Sequence, residues 1–160
     1  MDFERSRENK KFGEGRKKLL ALEQEGKYVF HGSHDVIDVL EPRQAYNDNP
    51  ETGEKEEDGD PAVFATPYAD VAIFRALISG KDVPADSEST FGMNEHGLHF
   101  SATQNLIDNA KGRIAKVYVL DRTKFSRFEG SQCRSTEPIT PVQVVEVMLE
   151  DLPDNITVIQ

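Results

Sequence analysis

Two short apolar segments of the chain end in residues that could bind a small molecule. The first is Tyr-Val-Phe-His-Gly-Ser, residues 28–33. Its aromatic and β-branched residues predict a buried strand, and a glycine at the polar tip lets the backbone approach a ligand. The second is Pro-Ala-Val-Phe-Ala-Thr-Pro, residues 61–67, and a run with helical spacing follows it from Ala69 to Ser79. A histidine at a strand end opposite a strand-to-helix turn favours a small-molecule site.

These residues resemble the motifs of the ADP-ribosyltransferase fold, in the branch that includes the poly(ADP-ribose) polymerases and the RNA 2′-phosphotransferases. There a strand ends in His-Gly-Ser or His-Gly-Thr, and a second strand reads roughly Gly-x-Tyr-Phe-Ala. An alanine and an aromatic residue follow on the next helix. With Phe64 as the family phenylalanine, Ala72 matches that alanine and Phe74 matches the aromatic residue. The resemblance covers residues 28–78 by motif and 115–150 by strand pattern, and it implies split antiparallel sheets with flanking helices.

The resemblance also implies roles at the first strand. His31 would orient the dinucleotide NAD by hydrogen-bonding the ribose next to adenine, Gly32 would bind the nicotinamide amide through its backbone, and Ser33 would add a hydroxyl contact. Arg43 could reach the diphosphate or adenosine side of NAD as a charged fork. Each residue also has an interpretation without a ligand. His31 could be a histidine that ends a core strand, Gly32 and Ser33 could form a strand-ending turn, and Arg43 could be a surface arginine.

Two aromatic residues complete the implied NAD-binding set. Phe74 would stack on the nicotinamide ring, which contributes about 1 kcal/mol beyond area burial, although a phenylalanine at helical spacing is equally typical of a core. Phe64 would line the pocket. The family tyrosine falls on Val63, or on Phe64 itself if the frame slides by one residue. Its hydroxyl is absent either way, unless Tyr68 or Tyr118 supplies one.

The implied catalytic position falls on a glutamine. Matching Pro138-Ile139-Thr140-Pro141 and the following strand places Gln132 where the family carries Glu, Asp or Gln, with Glu129 and Glu137 as near misses. A glutamate there stabilises the positive charge that develops on the ribose as the glycosidic bond breaks. An amide offers only a dipole, so the sequence predicts slow transfer. The alternative is that Gln132 is an ordinary edge residue.

Length and pattern predict one α+β domain. The chain has 160 residues, enough for one core. We expect a flexible arm over 1–13, a single ADP-ribosyltransferase-like domain over 14–160, and a long acidic loop over 44–60. Helices are expected from Arg16 to Gly26 and over 69–79, with a helical turn over 35–40 and a further turn at 106–107. Strands are expected at 28–32, 62–65, 98–101, 115–120, 131–136 (an edge), 142–149 and 156–159.

Charge and cysteine content exclude several classes. The formal net charge of −10 argues against a nucleic-acid partner, because phosphates would be repelled. An RNA 2′-phosphotransferase would also need several basic residues around the transferred phosphate, and too few are suitably placed. The single Cys133 excludes an internal disulfide. With no membrane-length apolar run and no signal-peptide core, a cytoplasmic protein is expected.

Three functions remain open at this point. The first is an ADP-ribosyltransferase that uses NAD as substrate and passes ADP-ribose to a protein or small-molecule acceptor with release of nicotinamide. The second is a catalytically silent module that binds a nucleotide or ADP-ribose. The third is an acidic interaction factor that docks on a basic partner. A metal site is not expected: His31/His34 and His96/His99 have a spacing that can bind metals, but neither pair lies in a predicted helix.

Overall fold

A computed structural model describes residues 13–44, 46–48, 51–57, 60–79 and 82–160. Within these ranges the chain is α+β, with small, mostly antiparallel sheets and three α-helices. The fold class predicted from the sequence is therefore confirmed at this coarse level. Of the predicted arm over 1–13, only Gly13 is described, and the rest of that prediction lies outside the described residues.

The three helices begin and end where local sequence allows. Helix α1 spans Glu14–Glu25 and ends at Gly26, whose positive φ of 71° places it in the left-handed conformation that closes a helix. Helix α2 spans Ala69–Leu77, and helix α3 spans Gln104–Ala110. Glu23 of α1 caps α2, because its carboxylate accepts the Ala69 N–H at 2.6 Å. The first two predicted helices are confirmed, and the turn predicted at 106–107 is a full helix.

The first sheet forms the centre of the molecule. It contains β1 (Tyr28–Ser33), β7 (Ala115–Asp121) and β10 (Gln143–Val147), in the order β1-β7-β10 with antiparallel pairing throughout. Helix α2 packs against it with nearly all of its residues buried. These strands were predicted, because β1 and β7 are apolar runs with β-branched and aromatic residues, and β10 alternates and is strongly β-branched.

A second sheet packs beside the first and carries the other half of the predicted motif. It contains β4 (Val63–Ala65), β8 (Ser126–Glu129) and β9 (Gln132–Ser135), in the order β4-β9-β8. Phe30 joins the two sheets through backbone hydrogen bonds with Thr66, of 2.7 and 2.9 Å. The strand predicted at 131–136 exists, but it is central in its sheet and not an edge, because β8 pairs along its outer side.

The third sheet contains β5 (Ser89–Asn94), β6 (Gly97–Thr103) and β11 (Ile156–Ile159). The strands β5 and β6 form an antiparallel hairpin, and β11 pairs with β6 in parallel. The sequence predicted only 98–101 and 156–159, because glycine and polar residues interrupt the alternation in β5. Two 3-10 turns, Arg122–Lys124 and Leu149–Asp151, link the remaining elements.

Two local predictions are wrong. Residues 35–40 form bends and not a helical turn, with Val36 79% exposed, because the Tyr118 hydroxyl accepts the Ile37 N–H and donates to the Asp35 carbonyl. Within the loop predicted over 44–60, β2 (Tyr46–Asp48) and β3 (Lys55–Glu57) form an antiparallel pair. Such a hairpin depends on backbone hydrogen bonds and a turn rather than on an apolar core, so composition does not reveal it. Residues 45, 49–50 and 58–59 of that loop lie outside the described residues.

Candidate functional site

His31 stands near the end of β1 with its ring held in one orientation. Its Nδ1 lies 2.8 Å from the Phe64 carbonyl oxygen on β4. A carbonyl oxygen only accepts hydrogen bonds, so Nδ1 carries the proton and Nε2 of the neutral ring remains an acceptor. Burial lowers the pKa of His31, the hydrogen bond to Phe64 opposes this, and the charges of Arg75 and Arg43 lower the pKa further. The site therefore holds a neutral imidazole as a hydrogen-bonding group at pH 7.

Gly32 has a packing role that the sequence did not indicate. A Cβ added to it would lie 2.0 Å from the Ala72 carbonyl oxygen and 3.0 Å from the Ala76 Cβ. Helix α2 thus lies directly against the glycine backbone, and any side chain would push it away. From the sequence we explained the absence of a side chain at Gly32 by the approach of a ligand. The close packing of α2, which forms one wall of the site, already requires a glycine at this position.

Ser33 and Tyr118 shape the segment that leaves β1. The Ser33 hydroxyl accepts the Asp35 N–H at 3.1 Å, which turns the chain at the strand end. Tyr118 is 1% exposed, and its hydroxyl is engaged with Asp35 and Ile37. The Tyr68 hydroxyl lies 3.9 Å from the Met93 sulfur. Neither tyrosine lines any of the three cavities at residues 31–33, so neither one supplies the hydroxyl of the family tyrosine there.

Gln132 lines the same space as His31 and Gly32, about a hundred residues away in the chain, and as Phe64, about seventy residues away. These four residues line one small space between the first two sheets. Its volume is about 10 Å³, roughly that of one water molecule and too small for a pyridine ring. A nicotinamide ring would therefore enter only if α2 or the Gln132 side chain moved.

The two glutamates that were near misses for the catalytic position differ in their placement. Glu129 pairs directly with Gln132 across the β8–β9 hairpin, which places the two side chains on the same face. Glu137 lies beyond the end of β9, where its N–H donates to the Ser135 hydroxyl at 3.2 Å. Of the two, Glu129 is therefore the carboxylate next to Gln132.

Phe74 lies in the core and does not face the site. It is 0% exposed, and its ring lies 5.0 Å from that of Phe100 and 6.2 Å from that of Phe91, between centroids. In this structure it cannot stack on a ligand, so the predicted stacking role is corrected to a core role. The next residue, Arg75, lines all three cavities, and Val71 and Ala72 of α2 also line the space at Gln132. A shift of one residue along a helix rotates the side chain by about 100° and exchanges a core position for a cleft position.

Three cavities that share Arg75 adjoin one another, and His31 lines two of them. We call them together the cleft. The largest, about 620 Å³, is lined by His31, Phe64, Arg43 and the 35–41 segment. The second, about 220 Å³, lies between Ser33, His34 and Asp82. The third is the small space at Gln132. Arg75 lines all three, and desolvation by its surroundings lowers its pKa although the side chain remains exposed.

Sequence reasoning missed Arg75, which lines the cleft, and Arg134, which lies on the ring of the cleft residue Phe64. Arg134 on β9 pairs with Phe64 on β4, and its guanidinium carbon lies 5.1 Å from the centroid of the Phe64 ring. A signal for Arg75 was present, because it is the only charged residue in the apolar run 71–78. No comparable signal marks Arg134, since its position depends on the register between β4 and β9.

The remaining reactive residues give no further site. Burial raises the pKa of Cys133 to about 12, so its thiol is protonated and unreactive. His34 contacts the Arg113 guanidinium at 3.0 Å. Within the described ranges, no three His, Cys, Asp or Glu side chains are grouped as metal ligands would be.

No described helix combines the length and apolar character that crossing a bilayer requires.

Comparisons of this chain with protein-family models, with characterised proteins and with solved structures find no match.

Proposed function

We propose that the protein is an ADP-ribosyltransferase-like protein that binds NAD in the cleft around His31 and transfers ADP-ribose to a protein or small-molecule acceptor. One observation carries the proposal: His31, Gly32, Phe64 and Gln132 line a single space, although they come from three separate parts of the chain. These are positions at which the motif resemblance expects different parts of NAD to bind. A chance three-residue motif would not account for this convergence.

In the proposed reaction, the bond between the ribose C1′ and the nicotinamide nitrogen breaks. The electron pair leaves with nicotinamide, positive charge develops on C1′, and an acceptor nucleophile attacks C1′ and loses its proton. His31 would accept a hydrogen bond from a ribose hydroxyl through Nε2, because Nδ1 is held by the Phe64 carbonyl. Gln132 would bind a hydroxyl of the nicotinamide ribose and place its carbonyl dipole near C1′. Ser33 and Arg43 would contact the rest of the dinucleotide.

The lack of a charge at position 132 predicts a slow reaction. A carboxylate near the developing cation stabilises it by several kcal/mol in a water-excluded site, whereas an amide contributes only a dipole. Glu129 is the described carboxylate paired with Gln132 in the sheet register. The proposal therefore assigns hydroxyl binding to Gln132 and makes Glu129 the residue to test for charge stabilisation.

A second candidate is a silent module that binds a nucleotide without cleaving it. Two observations favour it: the residues that line the space at Gln132 include no carboxylate, and that space has a volume of only about 10 Å³. Such a protein would use the larger, 620 Å³ cavity for the nucleotide and leave the nicotinamide end unbound.

Incubation with NAD followed by chromatographic detection of nicotinamide separates the two candidates. The transferase predicts slow release above the uncatalysed background, a faster rate in Gln132→Glu and a slower one in Gln132→Ala. Glu129→Gln should also slow release, while Glu137→Gln, with the same charge change outside the cleft, should not. No release from the wild type or from Gln132→Glu, with NAD binding retained in both, would leave the silent module as the function.

A further inference from the structure

Two arginines line the cleft, and a third lies on the ring of the cleft residue Phe64. The three arginines come from different elements. Arg43 forms an isolated backbone bridge with Ala62, just before β4, and lines the largest cavity. Arg75 comes from α2 and lines all three cavities. Arg134 comes from β9 and lies on the Phe64 ring. Cationic groups from three elements thus lie in the cleft or on its Phe64 ring.

The strand register places two of these arginines on the same face of the second sheet. Residues directly opposite in an antiparallel pair share a face, as do residues two apart on one strand. Arg43 is opposite Ala62, Ala62 is two residues before Phe64, and Phe64 is opposite Arg134. The side chains of Arg43 and Arg134 therefore flank Phe64 on one face, the face that also carries Gln132. Arg75 comes from α2 and lines the space at Gln132 together with Phe64, while its guanidinium carbon lies 5.7 Å from the centroid of the Phe91 ring.

These arginines have no carboxylate partner among the residues that the structure describes. Arg16, by contrast, pairs with Asp70 at 2.8 Å and with Asp154 at 3.5 Å. The formal net charge of −10 shows that carboxylates are abundant in the chain, yet none forms an ion pair with Arg43, Arg75 or Arg134 in the described ranges. Unpaired guanidinium groups on the walls of a cleft focus its potential and attract anions.

An anionic ligand bound by these arginines would extend into the largest cavity, and the other walls of that cavity indicate the chemistry of the rest of the ligand. Val36, Ile37, Val39, Leu40 and Val63 form apolar lining at one side, and Asp35, Asp38 and Glu41 stand along the same segment. Carboxylates there would repel phosphate, so the phosphates belong at the His31–Phe64 end, next to the arginines. The apolar and acidic end can take a nucleoside, through ring contact and hydrogen bonds from hydroxyl and amine groups.

We propose that Arg43, Arg75 and Arg134 bind a diphosphate group beside the Phe64 ring, so that the cleft takes a nucleoside diphosphate or its ester. This deepens the proposed function and rests on it for the location of the ligand, but it requires no cleavage of a glycosidic bond. A guanidinium matches two phosphate oxygens at once, and several such forks fit a diphosphate better than a single phosphate. The inference adds Arg75 and Arg134 as binding residues.

Calorimetric titration with ADP, AMP, adenosine and inorganic diphosphate tests this proposal. We expect ADP to bind more tightly than AMP, adenosine to bind least, and ADP affinity to fall as salt rises, because the contacts are ionic. Inorganic diphosphate should bind more weakly than ADP. If it binds as tightly as ADP, the nucleoside part of the proposal is wrong. If adenosine binds as tightly as ADP, the diphosphate part is wrong.

Three variants separate the arginine cluster from general surface charge. Arg75→Gln and Arg134→Gln should each weaken ADP binding by about tenfold, as expected for loss of a charge-assisted pair of hydrogen bonds. Arg122→Gln is the matched control, because Arg122 also lies on an aromatic ring, 4.5 Å from the Phe128 centroid, but that ring, unlike the ring of Phe64, lines none of the three cavities. Arg75→Lys, which keeps the charge, should restore part of the affinity. Equal losses in Arg122→Gln and Arg75→Gln would overturn the proposal.

The outcomes also distinguish this inference from the proposed function. Arginine-dependent ADP binding without nicotinamide release from NAD would support the diphosphate site and reject the transferase. Nicotinamide release that is unchanged in Arg75→Gln and Arg134→Gln, at NAD concentrations below saturation, would reject the diphosphate site alone. Thermal unfolding of each variant shows whether the fold is retained, and Arg75→Lys serves as the second test if Arg75→Gln does not fold.

Discussion

The two sheets that meet at His31 differ in how much of each is buried. In the first sheet, β7 has a run of four consecutive buried residues. The neighbouring strand β1 packs on α2 through Gly32. In the second sheet, all four residues of β8 are exposed, and only alternate residues of β9 are buried. The first sheet holds His31 and Gly32 in place, and the second carries Phe64, Gln132 and Arg134. A rigid region therefore positions the site, while a half-exposed region supplies groups that can change without unfolding the protein.

Replacing one phenylalanine in each region gives the largest contrast. Phe74→Ala should lower the free energy of unfolding by about 3–5 kcal/mol, because it leaves a cavity beside Phe100 in the core. Phe64→Ala removes a partly exposed ring and should cost about 1 kcal/mol while weakening ligand binding. Urea denaturation of both variants measures the difference. If Phe74→Ala were as stable as the wild type and had lost only ligand binding, Phe74 would have the stacking role and not the core role.

A second, smaller effect is expected at the strand end. Gly32→Ala places a methyl group against the Ala72 carbonyl, which is backbone and cannot rotate away, so we expect a loss of about 3 kcal/mol. The neighbouring Ser33→Ala removes one hydrogen bond to the Asp35 N–H and should cost about 1 kcal/mol. Equal stabilities for the two variants in urea would show that α2 can move away from β1. The small space at Gln132 could then open for a ring.

The smallest effect concerns pH at the junction of the two sheets. The pKa of His31 is lowered in the folded protein, mainly by burial, so the unfolded chain takes up this proton first as the pH falls. Stability should therefore decrease from pH 6.5 down to the folded pKa and be unaffected by this group above that range. His31→Asn keeps an N–H donor near the Phe64 carbonyl but does not titrate. Its stability should vary less than that of the wild type across this interval, and identical pH profiles would contradict the assigned neutral ring.

Sequence reasoning succeeded where a local pattern determines an element. Leucine spacing and Gly26 predicted α1, and β-branched runs predicted β1, β7 and β10. It failed at the β2–β3 and β5–β6 hairpins, because their polar and glycine-containing strands show no clear alternation. It also failed at 35–40, where a long-range contact with Tyr118 overrides local preference.

The sequence by itself determined the α+β class, the main core strands and the His-Gly-Ser tip, since each depends on residues adjacent in the chain. Only the tertiary contacts show that Phe74 faces the core, that Gly32 supports α2, and that Arg134 lies on the Phe64 ring. The physical reason is register. Arg134 lies beside Phe64 only through the pairing of β4 with β9, and no local pattern encodes the alignment of strands about seventy residues apart.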